Sequence, residues 1–437
     1  MPGLNDEDWG HLKTCLEKVT FAVLDKLQDQ WGMELPAATY QTYDFSGPIL
    51  VQIEETRPQW WRISEMAGLA MPALGEFGEL VEFLRDNGTF HLEFLAQIEG
   101  AVVEPQNQAE YLAKFGLMNL FMGGYLRLAG SLSWDQTVFD EVASALRSFL
   151  ESSHQEVLTV APVFGLLPGP RIEIDSQLKI DVLTPETKKE MWDRYSSVQY
   201  PRLSPEELFE CSQTIEQLVR VPKFEVPFDF TGLRFSATVE ALRILQPSDF
   251  YVPFAFMCPQ GPTFRRLSTS FRVMPDRPLV RAKSRPPSAF VDQASHDLPR
   301  LVRAIEELHG RAALLAVRRF GLAYDRQLDE DRILDYWIAL EGLFLPDGGQ
   351  ELSYRVSLRV ASFLGGSPEE RVDLFAKTRR SYAIRSKVAH GAESPADLHE
   401  VANLTEGLVR RSLRRILLEQ QGIDVQSLDG RVAFGYN

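Results

Sequence analysis

A chain of 437 residues has room for two or three domains with cores of their own, and its 44% hydrophobic and 24% charged content is ordinary for a globular protein. A net charge of −15 excludes nonspecific binding of nucleic acid over the whole surface, so any such binding needs a local basic cleft. Three scattered cysteines, Cys15, Cys211 and Cys258, have neither CxxC nor metal spacing, which predicts a reducing compartment and no metal or other cofactor.

Met1-Pro2-Gly3 leads into Asp6-Glu7-Asp8, the wrong charge for an export signal. The longest apolar run, Phe115 to Leu126, is broken by Asn119 and Gly123-Gly124 and is shorter than the ~20 residues of a membrane span. The expectation is a cytoplasmic protein without a membrane partner. Residues 5–31 read as an amphipathic helix through Trp9, Leu12, Leu16, Val19, Val23 and Leu27, and a mixed region follows. Ser133-Trp134-Asp135-Gln136 reads as a capping box opening a helix with Phe139, Val142, Leu146 and Phe149 on one face. From Val157 the pattern changes. Ile172-Glu173-Ile174 and Leu178 to Val182 alternate apolar and polar across Asp175-Ser176-Gln177, a hairpin signal, and Thr184-Pro185 opens a short helix. Residues 224–274 read as strand-like. Trp60-Trp61 and the Phe-rich 224–256 stretch suggest core more than a ligand pocket.

The Pro/Arg-rich stretch 275–288 holds four prolines, four basic residues and little that packs, and marks a linker. Beyond it helices are expected near 297–320, 329–345, 351–365, 368–390 and 395–419. The last should have Ser394 as N-cap and Pro395 at its first position, and Gly391 should stop the one before it. The predicted fold is thus an α+β N-terminal region, mostly helical over 1–155 and strand-rich over 156–274, then an all-α bundle of four or five helices over 289–437. Residues 1–290 hold 26 basic and 39 acidic side chains, against 20 and 22 in 291–437. The acidic N-terminal region is therefore a candidate to restrain the C-terminal part, or to receive a trigger or inhibitor.

Phosphate loops of the GxxxxGK[ST] type, a GxGxxG after a strand and a GxSxG elbow are all absent. What stands out is Tyr382-Ala383-Ile384-Arg385-Ser386-Lys387-Val388-Ala389-His390-Gly391. Six Lys or Arg and one acid, Asp373, lie between Arg371 and His390. A guanidinium beside an imidazole suits phosphodiester cleavage, since one takes a proton and the other holds the developing negative charge. Spacing alone does not select this pair, because Arg85–His91, Arg147–His154 and Arg303–His309 are spaced similarly. Arg85–His91 straddles the turn dipeptide Asn87-Gly88, Arg147–His154 runs out of a helix at Ser152-Ser153, and Arg303–His309 has no basic surroundings. On an ideal helix Arg385 and His390 lie about 140° apart, so converging on one phosphate calls for two copies around a two-fold axis.

The C-terminal third also resembles the Apea-like branch of the HEPN domains (higher eukaryote and prokaryote nucleotide-binding). The resemblance is carried by Arg319-Phe320, by Ile333 to Glu341 with Leu343-Phe344, by Arg359-Val360-Ala361 with Phe363-Leu364, and by Tyr382…Arg385-Ser386…His390-Gly391. Pro162 to Gly165 and Leu178 to Glu186 resemble, more loosely, the region that often precedes such domains. It implies a HEPN-like bundle, a homodimer and a metal-independent endoribonuclease, a defence or toxin-like effector that leaves 2′,3′-cyclic phosphate ends. Arg385 and His390 would be its catalytic residues. The alternative within the family is a non-catalytic dimerising or nucleotide-sensing module. Ser386 stands where many catalytic members carry Asn, Asp or His, although Ser is usual in this branch. Outside the family, an interaction scaffold led by the acidic region is a third reading.

Glu341, beside the apolar stripe of Ile333, Leu334, Trp337, Leu340 and Phe344, needs a partner if half-buried, with Arg385 or Arg359 as candidates. Tyr382 and Ser386 align with His390 as supporting residues, and Tyr382 equally suits the core. Lys377, Arg379, Arg380 and Lys387 are candidate RNA contacts. The structural alternative for the central pair is that Arg385 binds a carboxylate and His390 only caps the helix end.

Overall fold

The computed structural model describes residues 5–86, 107–152, 154–195, 204–222, 234–259, 285–289, 292–346, 348, 350–392 and 397–434. The chain opens with α1 (Asp6–Trp31), capped by the Asn5 side chain, which accepts from the Asp8 N–H at 2.8 Å. Three acids in its first turn suit the positive end of the helix, and Gly32 stops it at φ +72°. Then come α2 (Trp60–Ala70), α3 (Gly75–Asp86), the short α4 (Gln108–Tyr111), a π-helical stretch Leu112–Met118, α5 (Asn119–Ala129) and α6 (Gln136–Glu151). Leu12, Leu16 and Val19 of α1 meet Leu80 and Leu84 of α3 and Phe139, Val142 and Leu146 of α6 in a core of their own. The start of α6 differs from expectation. Asp135, not Ser133, is its N-cap, accepting from the N–H groups of Thr137 and Val138, while the Ser133 hydroxyl is engaged by Ser131.

The mixed region contains an antiparallel hairpin, β1 (Ala37–Asp44) and β2 (Val51–Pro58), with Ala37 opposite Pro58. It docks away from the helical core. Phe45 packs with Met191, Leu208 and Phe254, while Thr42 and Arg57 both bind Asp193.

A five-stranded sheet follows, built from β3 (His154–Val163), β4 (Ile172–Glu173), β5 (Leu178–Val182), β6 (Gln213–Pro222) and β7 (Phe256–Pro259). Its order is β4-β5-β6-β3-β7 and every pairing is antiparallel. The expected hairpin is there: Asp175 accepts from the N–H groups of Gln177 and Leu178 in the turn, and Ile172 faces Ile180. Thr184 accepts from the Thr187 N–H at the start of α7 (Pro185–Tyr195), and α8 (Pro205–Glu210) leads into β6. The strand-like reading of 224–274 fails over Phe235–Leu245, which forms α9. Nine of its eleven residues are buried, so there is no polar face for helical periodicity to reveal. Residues 223–233 and 260–274 lie outside the described residues.

The C-terminal part is helical: α10 (Asp292–Glu306), α11 (Arg311–Tyr324), α12 (Asp329–Phe344), α13 (Leu352–Leu364), α14 (Pro368–Ala389), α15 (Leu398–Leu417) and α16 (Val425–Phe434). The single helix expected over 297–320 is two, because Gly310 ends the break and caps α11. Asp397, not Ser394, caps α15, accepting from His399 and Glu400; Ser394 and Pro395 lie outside the described residues.

These helices share one hydrophobic core with the sheet and α9. Ala161, Val163 and Ile215 of the sheet and Phe235, Val239 and Leu242 of α9 belong with Leu298, Phe320, Trp337, Phe344 and Val409. Of the 275–288 stretch, Arg285–Ser288 are described, and they are packed rather than loose. Ser288 donates to Gly165 O, Ser248 donates to Pro286 O, and Arg285 binds Asp249 at 2.8 Å. Arg285 also reaches Glu406, 3% exposed on α15, together with Arg410. Arg332 Nη2 at 3.0 Å and the hydroxyls of Tyr324 and Tyr336, each at 2.9 Å, complete that carboxylate's shell. Burial alone would push the Glu406 carboxyl up, but Arg410 and Arg285 hold it below its usual value. No described helix is long and apolar enough to cross a membrane.

Candidate functional site

The motif sits on α14, and both ends of that helix are well determined. Ser367 caps its start, accepting from the Glu370 N–H at 3.2 Å, with Pro368, Glu369 and Glu370 in the first turn. At its end Gly391 takes φ +66°, its N–H reaches Val388 O, and the Ala392 N–H reaches Lys387 O at 3.0 Å. That pair of bonds is a Schellman stop, and it fixes the backbone of His390 as the C-cap. Gly391 is thus the stop that the sequence predicts.

Leu374, Thr378, Ser381 and Ile384 form the buried side of α14. Ser381 accepts from the indole N–H of Trp337 at 3.1 Å and shares a 2.7 Å hydrogen bond with Thr405, which ties α14 to α12 and α15. Around the helix, Arg385 lies about 40° from Ser381 and His390 about 180° from it. Arg385 therefore turns toward the bundle, while His390 stands on the solvent side. The exposed imidazole makes no hydrogen bond or ion pair with any described residue.

Arg385 finds Glu341 of α12. One terminal nitrogen lies 3.2 Å from both carboxylate oxygens, and the two side chains are 24% and 25% exposed. The Arg385 Nε is buried without a partner. Burial raises the Glu341 carboxyl above its ordinary value, and Arg385 offsets this only in part. Arg359 is not the partner: it donates to Asp429 at 2.9 and 2.7 Å and to Phe344 O at the end of α12. Tyr382 is half-buried, edge-on to Trp337 at 5.0 Å, with the Arg385 guanidinium 5.6 Å from its ring. Ser386 is half-buried and its carbonyl accepts from the His390 N–H.

So Glu341, Tyr382 and Arg385 come together, and within the same chain His390 points away from them. Among the candidate RNA contacts, Lys377 is paired with Asp373 at 2.7 Å. Arg379, Arg380 and Lys387 are exposed and form no ion pair with described residues, on the same side of α14 as His390. Elsewhere in the bundle Arg319, Arg326, Arg332, Arg410 and Arg411 all have carboxylate partners. Two of the other Arg–His spacings do not share a helix. Arg147 binds Glu151 and Asp6 while His154 begins β3, and α10 ends before His309; His91 lies outside the described residues. No group of His, Cys, Asp or Glu among the described residues stands where it could hold a metal ion.

Sequence reasoning missed the Trp337–Ser381–Thr405 link and the Glu406 cluster. Glu406 carried a usable signal, an acid four residues after Ala402 on the apolar side of α15, the same kind of signal that singled out Glu341.

The raised Glu341 carboxyl gives a stability test. Because the folded state holds its proton more tightly than the unfolded one, stability falls as pH rises from the ordinary carboxylate range through the raised value. Glu341→Gln lacks that fall. Its urea midpoint relative to wild type is expected to improve from pH 4 to pH 7; a constant difference across that range would contradict it.

No family model, no curated protein and no solved structure matches the chain.

Proposed function

We propose that this chain is a cytoplasmic, metal-independent endoribonuclease of the HEPN type, a defence or toxin-like effector that acts as a homodimer. The observation that supports it best is the disposition of α14. One continuous helix carries an exposed imidazole at its fixed end and three cations on the same side, none of them paired with a described residue, and the Arg385 guanidinium about 140° round. In the proposed reaction neutral His390 takes the proton of an RNA 2′-hydroxyl as that oxygen attacks the adjacent phosphorus. Arg385 of the second copy holds the charge on the phosphoryl oxygens. The bond from phosphorus to the 5′-oxygen breaks, solvent protonates the leaving oxygen, and a 2′,3′-cyclic phosphate remains.

A second reading, a non-catalytic HEPN module that dimerises or senses nucleotides, draws support from the engagement of Arg385 by Glu341. Assembly tests what both readings share. Light scattering is expected to give twice the 49.6 kDa of one chain. Ala383→Trp, on the exposed side of α14, is expected to give monomers with no RNA cleavage. A wild-type monomer that cuts RNA contradicts the composite site.

A further inference from the structure

Two arginines of the bundle, Arg359 and Arg385, use their donors differently. Arg359 is 1% exposed, and each of its three guanidinium nitrogens is engaged, by a fork onto Asp429 and a 2.7 Å bond to Phe344 O. Arg385 differs. A single terminal nitrogen lies 3.2 Å from each oxygen of Glu341, longer than the ~2.7–2.9 Å of a strong charge-assisted bond. Its Nε has no partner, and about a quarter of each side chain remains open to solvent. The contact is end-on and loose, and most of the planar donor fork is unused. A tetrahedral phosphate could take both terminal nitrogens at once, whereas Glu341 engages one of them.

We propose that Glu341 is an internal counter-ion that competes with a bound phosphate group for Arg385, so that ligand binding exchanges the carboxylate for the phosphate. This rests on the reading of α14 as a phosphate-binding helix. It makes Glu341 a positioning residue that holds Arg385 in place in the empty state and lowers anion affinity until a ligand displaces it. The same exchange would serve an RNA phosphodiester or the phosphates of a free nucleotide, whose oxygens present the same acceptors.

The test is a fluorescence anisotropy titration of the full-length protein with labelled single-stranded RNA, made uncleavable by 2′-O-methyl groups. A second arm uses a labelled nucleoside triphosphate. Glu341→Gln keeps an oxygen acceptor but removes the charge, and is expected to tighten binding about threefold to tenfold. Glu341→Asp, with a shorter reach and the charge kept, covers failure of the Gln variant to fold and is expected to give a smaller gain. The gain must vanish when Arg385→Ala is added, because general loss of one negative charge would persist there. An unchanged affinity in both Glu341 variants, or an equal gain without Arg385, overturns the exchange while leaving RNA binding intact. A gain confined to the triphosphate supports the exchange and instead overturns the ribonuclease reading. Binding of neither probe by any of the proteins overturns both.

Discussion

Glu406→Ala is expected to destabilise the protein by about 3–5 kcal/mol, the cost of removing one partner from a buried ion cluster. The carboxylate is 3% exposed and receives Arg285, Arg332, Arg410 and two tyrosine hydroxyls. Without it Arg285 keeps Asp249 and Arg332 keeps Asp329, but Arg410 is left with no carboxylate among the described residues. Tyr324 and Tyr336, whose hydroxyls burial already holds against ionisation, lose their acceptor. Glu406→Gln preserves an acceptor and should cost less, about 1–3 kcal/mol. The sign with pH follows from the lowered carboxyl. The stabilisation is present above the ordinary carboxylate value and is lost as pH falls through the depressed one, so the variants should converge on wild type in acid. Urea unfolding followed by tryptophan fluorescence checks this, and a loss below about 1 kcal/mol for the Ala variant would refute it.

The Glu406 cluster also explains where sequence reading stopped. Helices with one apolar side, such as α1 and α12, were legible because their core contacts recur at helical spacing, and the 172–182 hairpin because its faces alternate. α9 was not, since burial on all sides erases the contrast on which periodicity depends. Nor was the seam between sheet and bundle. Composition marks Pro275–Ser288 as a linker, yet Arg285 carries its charge into a cluster whose other members lie at Asp249 and on α12 and α15. Pairing across more than a hundred residues leaves no local pattern. Because sheet, α9 and bundle share one core, a cut before residue 289 would expose Ala161, Ile215, Val239 and Leu242. A restraint on Arg385 is therefore better sought inside the bundle, at Glu341 of α12, than in a hinge over 275–288. In the candidate site, the helix stop could be read from Gly391, and the 140° separation from spacing alone. Which carboxylate meets Arg385 could not, since both Arg385 and Arg359 were available to Glu341 until tertiary packing assigned Asp429 to Arg359.

His390→Ala and Arg385→Ala are each expected to lower RNA cleavage by about 10²-fold or more, the scale for loss of a general base or of a charge-stabilising donor. Cleavage by wild type should persist in EDTA. Because the two side chains leave α14 on different sides, the stronger test is complementation. Each single variant puts its defect into both composite sites of a homodimer. A heterodimer of the two retains one site with an intact Arg385 and an intact His390. Equal mixing with full subunit exchange makes half the dimers heterodimers, each with one of two sites working, so about a quarter of wild-type activity should return. The double variant mixed with wild type provides the control: its heterodimers lose one member from each site and add no activity. Failure of the two single variants to complement, with exchange shown by mixed-tag capture, would place both residues in one chain's site. The outward direction of His390 would then need a different explanation. Retained cleavage in His390→Ala, or cleavage abolished by EDTA and restored by Mg²⁺, would remove the proposed mechanism altogether.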